Sequence, residues 1–200
     1  MPDAVTLPNR PRLTLPGPEA ALLAGAYGGS AVVLEYGSGG STVLAAELPG
    51  KRVFSVESDP VWAAGLQDYL DAAGLAAGVS LHVVDIGPTG DWGAPVSDEG
   101  WRRYHRYPLS VWDRADFRHP DVVLVDGRFR AACFVAVMAR ITRPVTLLFD
   151  DYAGRKPYHQ VESWATPVAQ VGRMAQFALE PRVFPTADLT RMFDLFTRPQ

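Results

Sequence analysis

Two short stretches end in carboxylates at corresponding points: "VLVDG" carries Asp126, and "LLFDDY" carries Asp150 and Asp151. Each is an apolar run that reads as a buried strand, so its acid falls where the strand leaves the sheet. If the two strands are neighbours, about 5 Å apart, all three carboxylates converge on one small volume. Charges so close need compensation, and two arrangements supply it. A hard divalent cation takes oxygen ligands and leaves positions for water or substrate oxygens, which makes Asp126, Asp150 and Asp151 candidate ligands for Mg²⁺. Alternatively, Asp126 and Asp151 cap the helices that follow, and Arg128, Arg130 or Arg155 neutralise them.

A second constellation lies upstream, in "LEYGSGGST" over residues 34–42. Gly37, Gly39 and Gly40 let the backbone turn sharply and approach a ligand closely, and a helix beginning near Ser41 directs free amides into the same space. Glu57 follows 20 residues after Gly37 at the end of the next strand, where an acid can accept both hydroxyls of a ribose. Together these point to a nucleoside-bearing cofactor. The third glycine of a dinucleotide G-x-G-x-x-G loop would fall at position 42, which is Thr42.

The elements that must position these residues alternate. Strands are predicted over 31–37, 52–58, 79–85, 121–127 and 144–151, with helices over about 18–27, 41–48, 59–74, 129–141 and 156–164. Asp59 and Pro60 form a strong helix start, since the carboxylate caps free amides and proline suits the first helical position. Gly172 and Arg173 separate two alternating runs and read as a hairpin turn. The tail over 186–196 is compatible with helix or strand. Strands alternating with helices imply an α/β fold: a Rossmann-like, doubly wound, mostly parallel sheet with a C-terminal antiparallel hairpin.

At 200 residues the chain fits a single domain. Its net charge of -3 offers no general attraction to nucleic acid or anionic membrane, so neither is an expected partner. The one cysteine, Cys133, cannot form an internal disulfide and sits in apolar "AACFVAVMA" as a small buried hydrophobe. The first 20 residues hold no apolar core of signal-peptide length, and no later segment approaches 18 uncharged apolar residues, which predicts a cytoplasmic protein.

The pattern "E-x-G-x-G", with Glu35, Gly37 and Gly39, resembles the glycine motif of class I S-adenosylmethionine-dependent methyltransferases, and the resemblance extends over roughly residues 30–180. It implies that Glu35, Gly37, Ser38 and Gly39 belong to the cofactor site, the loop lining the methionine part. It further implies that Glu57 holds the ribose and that Asp85, in "VVDIG", lies near the adenine. An Asp after the fourth strand with Asp-Asp after the fifth is similar to the metal-dependent small-molecule O-methyltransferases, of catechol and of macrolide and aminocoumarin sugar type, in which "DDY" recurs. That likeness implies Mg²⁺ on Asp126, Asp150 and Asp151, gripping vicinal hydroxyls of a small-molecule acceptor. A hydroxyl so coordinated loses its proton more easily and is held in line with the sulfonium methyl. The catechol-type lysine base is replaced here by Phe129. Asp126 and His159, with Tyr158 beside the latter, are then the residues expected at the chemistry.

Residues 87–119 form a connection longer than such folds usually use, rich in Trp, Tyr and Arg. Trp92, Trp101, Tyr104, Tyr107 and Trp112 either cover the cofactor and stack on the acceptor or form a private small core. Two same-fold alternatives stand beside the methyltransferase: a nicotinamide-dependent oxidoreductase and a non-catalytic nucleotide-binding or interaction module. A homodimer is left open.

Overall fold

The computed structural model describes residues 9–199. In chain order the elements are α1 Gly17–Gly28, β1 Val32–Tyr36, α2 Gly40–Glu47, β2 Arg52–Glu57, α3 Pro60–Ala72, β3 Val79–Val83, α4 Trp101–Tyr104, α5 Arg106–Leu109, β4 Val122–Val125, α6 Arg130–Arg140, β5 Val145–Phe149, β6 Ala169–Val171, β7 Met174–Leu179 and α7 Leu189–Leu195. The seven strands make one sheet in the order β3-β2-β1-β4-β5-β7-β6. The first five run parallel, and β7 and β6 complete the edge antiparallel.

Period-two burial divides the strands between two cores. Leu34, Phe54, Val123, Val125, Leu147 and Phe149 face α6, α7 and the 87–119 connection. Val33, Val53, Val122, Leu124 and Leu148 face α1 and α2. Both faces are covered, so the central strands are apolar nearly throughout, as parallel strands must be. Asp59 caps α3, accepting from the amides of Val61 at 2.9 Å and Trp62 at 3.0 Å. Gly172 takes φ +54 as the first residue of the β6–β7 turn.

Two elements differ from the sequence expectation, and a third, left open there, is decided. Strand β3 ends at Val83, not at 85, because its partner β2 ends at Glu57, paired with Val83. Residues Lys156–Ser163 form a 3₁₀ helix in place of an α-helix. Their buried side chains, Tyr158 and Val161, and then Trp164, recur every third residue, which matches the 3₁₀ repeat. The tail resolves as helix α7, which buries Met192 and Leu195.

The 87–119 connection divides its aromatics. Tyr104 on α4, Tyr107 on α5 and Trp112 enter the main core. Trp112 donates to the Tyr36 hydroxyl at 2.8 Å, and that hydroxyl donates to the Pro108 carbonyl at 2.7 Å. Trp101 lines a separate apolar hollow of about 510 Å³ against α6 and α7. Among the described residues, no helix is long and apolar enough to cross a membrane.

Candidate active site

The chain leaves β1 toward β2 and β3, then returns to place β4 on the other side of β1, so the strand order reverses between β1 and β4. Open α/β sheets bind ligands at the carboxyl ends of such a pair. Here a cavity of about 720 Å³ opens there. Gly37 to Ser41 form one wall, Glu57 to Asp59 and Trp62 a second, and Asp126 to Arg128 with Asp150 and Asp151 a third. Arg12 to Thr14 and Trp92 with Gly93 border its mouth.

Glycine is required at two points of the loop for different reasons. Gly37 has φ +99, and a Cβ there would stand 2.8 Å from the Gly127 Cα, so the loops after β1 and β4 touch backbone to backbone. Gly40 lies under the N-terminal segment, where a Cβ would meet the Leu13 amide nitrogen at 2.3 Å. Gly39 is different: its nearest neighbour is the Trp62 ring at 3.5 Å, an ordinary contact.

Glu35 does not reach the cavity. It is fully buried beneath the loop, accepting from Tyr27 at 2.7 Å and Thr42 at 2.6 Å. The Thr42 hydroxyl also accepts from the Gly39 amide at 3.0 Å, so the residue that breaks the dinucleotide spacing ties the loop to a buried acid. Burial raises the Glu35 pKa, and the hydrogen bonds from Thr42 and Tyr27 pull it down. It is enclosed beneath the loop, bonded by Thr42 and Tyr27 with Ser41 and Ser55 close by.

Glu57 sits at the rim with both oxygens occupied. One accepts from the Ser38 hydroxyl at 2.8 Å and the Ser38 amide at 3.2 Å. The other accepts from the amides of Ser58 at 2.7 Å and Asp59 at 3.0 Å. Asp85 lies elsewhere. Its side chain is 69% exposed, pairs with Arg103 and accepts from the Gly87 amide at 2.9 Å. The Gly87 bond lowers its carboxyl, burial opposes this, and Arg103 adds to the lowering. The early end of β3 leaves Asp85 outside the cavity, and Trp62, Ser58 and Trp92 occupy the rim instead.

Asp126, Asp150 and Asp151 do converge, and three arginines meet them. Arg130, itself buried, reaches Asp126 and Asp151 at 3.2 Å each and donates to the carbonyls of Asp126, Gly127 and Asp150. Arg155 pairs with Asp151 at 2.9 Å. Arg173, from the β6–β7 turn, grips Asp150 with two bonds of 3.0 and 2.8 Å. Magnesium requires near-octahedral oxygen ligands at about 2.0–2.1 Å, an arrangement that guanidinium groups bonded to those same oxygens exclude. The three aspartates therefore do not fit Mg²⁺, and no cluster of three or more His, Cys, Asp or Glu among the described residues is arranged to hold a metal.

Asp150 is accordingly a structural residue. Its side chain is 1% exposed and its partner Arg173 39% exposed. Asp150→Ala is expected to lower stability by about 2–3 kcal/mol, short of the roughly 3–5 of a fully buried pair because water reaches Arg173. Urea unfolding checks this, and a loss below about 0.5 kcal/mol would contradict it.

His159 also lies away from the cavity: it stacks on Tyr152 at 4.7 Å and its Nε2 is 3.0 Å from the Tyr152 carbonyl. Tyr158 is buried against Phe149. Phe129, in the lysine position, packs between Tyr104 and Tyr107 with left-handed backbone, φ +53. Asp126 is thus the acid that both lines the cavity and is strongly perturbed. Loss of hydration raises its carboxyl, Arg130 pulls it back, and Asp150 and Asp151 push it up again, leaving it at about 7.

Three cavity residues had little sequence signal. Trp62 reads as one more helix position, yet its indole donates to the Ser38 carbonyl at 2.9 Å. Arg12 precedes the first element, and Arg173 reads only as a turn residue. Trp92 was visible as an aromatic of a long connection, and the structure holds it at φ +59 beside Gly93, whose carbonyl accepts from Ser58 at 2.8 Å.

A doubly wound sheet with a glycine loop, a rim acid and a perturbed carboxylate at one switch point defines an enzyme of the Rossmann-like, nucleoside-binding class. The chain is 55% identical to a methyltransferase-like protein from Silicibacter pomeroyi, with a TM-score of 0.90 over 95% of this chain and 99% of that one. It shares its fold with the O-methyltransferase TomG from Streptomyces achromogenes, solved in complex with SAM, at 19% identity and TM-score 0.60 over 85% and 82% of the two chains. An O-methyltransferase from Bacillus cereus, solved with SAH, matches at 14% identity and TM-score 0.57 over 85% and 84%. No family profile and no curated protein matches the sequence. The chain belongs to the class I S-adenosylmethionine-dependent methyltransferases.

Proposed function

We propose that the protein transfers a methyl group from S-adenosylmethionine to a hydroxyl of a small-molecule acceptor, with Asp126 as the proton acceptor. The cofactor supplies an electrophilic sulfonium methyl; the chain's own residues bind, orient and take up the proton. Glu57 is positioned for the ribose: the Ser38 hydroxyl, and the Ser58 hydroxyl at 3.4 Å, can rotate aside and free acceptor sites, whereas the backbone amides stay. The exposed faces of Trp62 and Trp92 suit the adenine. Arg12, without an ion-pair partner among the described residues, lies beside Gly39 and Gly40 where the methionine carboxylate belongs. Magnesium has no role in this reading, because Arg130, Arg155 and Arg173 already neutralise the three aspartates.

The observation that carries the reading is Asp126 itself. A base works best with a pKa near the working pH, and a carboxyl at about 7 shares one cavity with the glycine loop and Glu57. The nicotinamide reading is disfavoured by the loop itself, where Thr42 stands in place of the third glycine and commits its hydroxyl to Gly39 and Glu35. Carboxyl ¹³C NMR of the S-adenosylhomocysteine complex tests this without knowledge of the acceptor. Asp126 is expected to titrate near 7; a midpoint near the ordinary value of about 3.9 would remove it as the base.

A further inference from the structure

We infer that the acceptor carries a negatively charged, oxygen-rich group, a carboxylate or a phosphate, and that Arg128 receives it. This rests on the methyl-transfer reading, which puts the acceptor beside Asp126.

Arg128 is two residues beyond Asp126 and lines the same cavity. It is half-buried, yet among the described residues it pairs with no carboxylate, and its side chain makes one bond, a 3.3 Å contact from Nε to the adjoining Gly127 carbonyl. Its neighbours behave differently. Arg130 and Arg155 direct their charge into Asp126 and Asp151. Burial and then the nearby Arg130 lower the Arg128 pKa, Tyr107 and Tyr158 oppose this, and Arg155 adds to the lowering, so the charged form is held at some disadvantage in the ligand-free protein. A guanidinium partly stripped of water and left with open donors is relieved by an anion that offers two oxygens to its planar fork.

The cofactor does not meet this need. Its methionine part has one carboxylate, and two arginines that line the cavity, Arg12 and Arg128, have no ion-pair partner among the described residues. The Arg12 backbone lies over Gly40 at the glycine-loop end, while Arg128 stands at the acid corner, next to the proposed base. An acceptor whose charged end lies on Arg128 would bring its hydroxyl toward Asp126, and the guanidinium would thereby select among alcohols. A neutral alcohol of equal size would leave the fork unfilled.

Isothermal titration of benzoate and phenyl phosphate into the S-adenosylhomocysteine-saturated protein, with benzamide as the uncharged control, tests the inference. At least one anion is expected to bind tenfold or more tightly than benzamide, and which one does separates a carboxylate from a phosphate subsite. Arg128→Gln should abolish the difference with S-adenosylhomocysteine affinity held within about twofold, and Arg128→Lys should retain part of it. Equal affinities for anions and benzamide, absence of anion binding, or a preference that survives Arg128→Gln would overturn it. So would a tenfold loss of S-adenosylhomocysteine affinity in Arg128→Gln, which would assign the guanidinium to the cofactor. Failure of the unaltered protein to bind S-adenosylhomocysteine would instead sink the methyl-transfer reading.

Discussion

Gly39→Val is expected to weaken S-adenosylhomocysteine binding by at least about 100-fold, roughly 2.7 kcal/mol, while the protein stays folded. The reason is local. At Gly39 an added Cβ would first meet the Trp62 ring at 3.5 Å, an ordinary contact. The added methyl groups therefore occupy cofactor space without pressing on the fold. The flanking glycines behave differently. A Cβ at Gly40 would stand 2.3 Å from Leu13 backbone, and one at Gly37 would combine a 2.8 Å approach to Gly127 with a left-handed φ, so substitution at either lowers stability first. Calorimetric titration beside a thermal melt separates the cases. A Gly39→Val protein that still binds S-adenosylhomocysteine within tenfold of the parent would show that the cofactor does not run along this loop.

Asp126→Asn is expected to lower kcat by about 10²–10⁴ on any acceptor the parent methylates, with S-adenosylhomocysteine affinity changed by no more than about twofold. The amide keeps the shape and one oxygen toward Arg130, which retains Asp151 and three carbonyls, so the corner stays assembled. What is lost is the proton acceptor. The pH dependence has a definite sign. Asp126 is raised to about 7 in the folded protein, so the native state binds the proton more tightly than the unfolded chain, whose carboxyl titrates near 3.9. Its contribution to stability is therefore full below about pH 4 and declines as pH rises toward 7. The parent should lose stability relative to Asp126→Asn across that window, while its turnover rises through the same midpoint. A flat difference in melting temperature between the two proteins from pH 4 to 8 would contradict both statements.

The parallel sheet and its switch point were legible because the signals are local and repeated: apolar runs ending in glycine or acid, helix starts such as Asp59-Pro60, and a glycine-led turn at Gly172. The convergence of Asp126, Asp150 and Asp151 followed from strand adjacency alone. How their charge is met did not. Arg130 was one of several candidate neutralisers, but Arg173 approaches from the turn of the antiparallel hairpin after β5, a pairing between residues 23 apart that no local pattern encodes. Glu35 shows the complementary difficulty: an acid next to a glycine loop looks functional until Tyr27 and Thr42 are seen to enclose it. Asp85 and His159 lie outside the cavity for a related reason. One lies beyond the last paired residue of an edge strand, and the other turns behind a 3₁₀ segment to stack on Tyr152, and both positions depend on where an element stops. In the long connection, alternation could not separate Tyr107 and Trp112, which complete the core, from Trp92, which remains 83% exposed.

The most direct test is a crystal structure of the S-adenosylhomocysteine complex. The ribose hydroxyls are expected on Glu57 with the Ser38 hydroxyl turned away, the amino-acid part along Gly37 to Gly40 with its carboxylate toward Arg12, and the sulfur directed at Asp126. A ligand seated elsewhere, or one whose sulfur points away from Asp126 and the end of β4, would contradict the placement of methyl transfer at this corner.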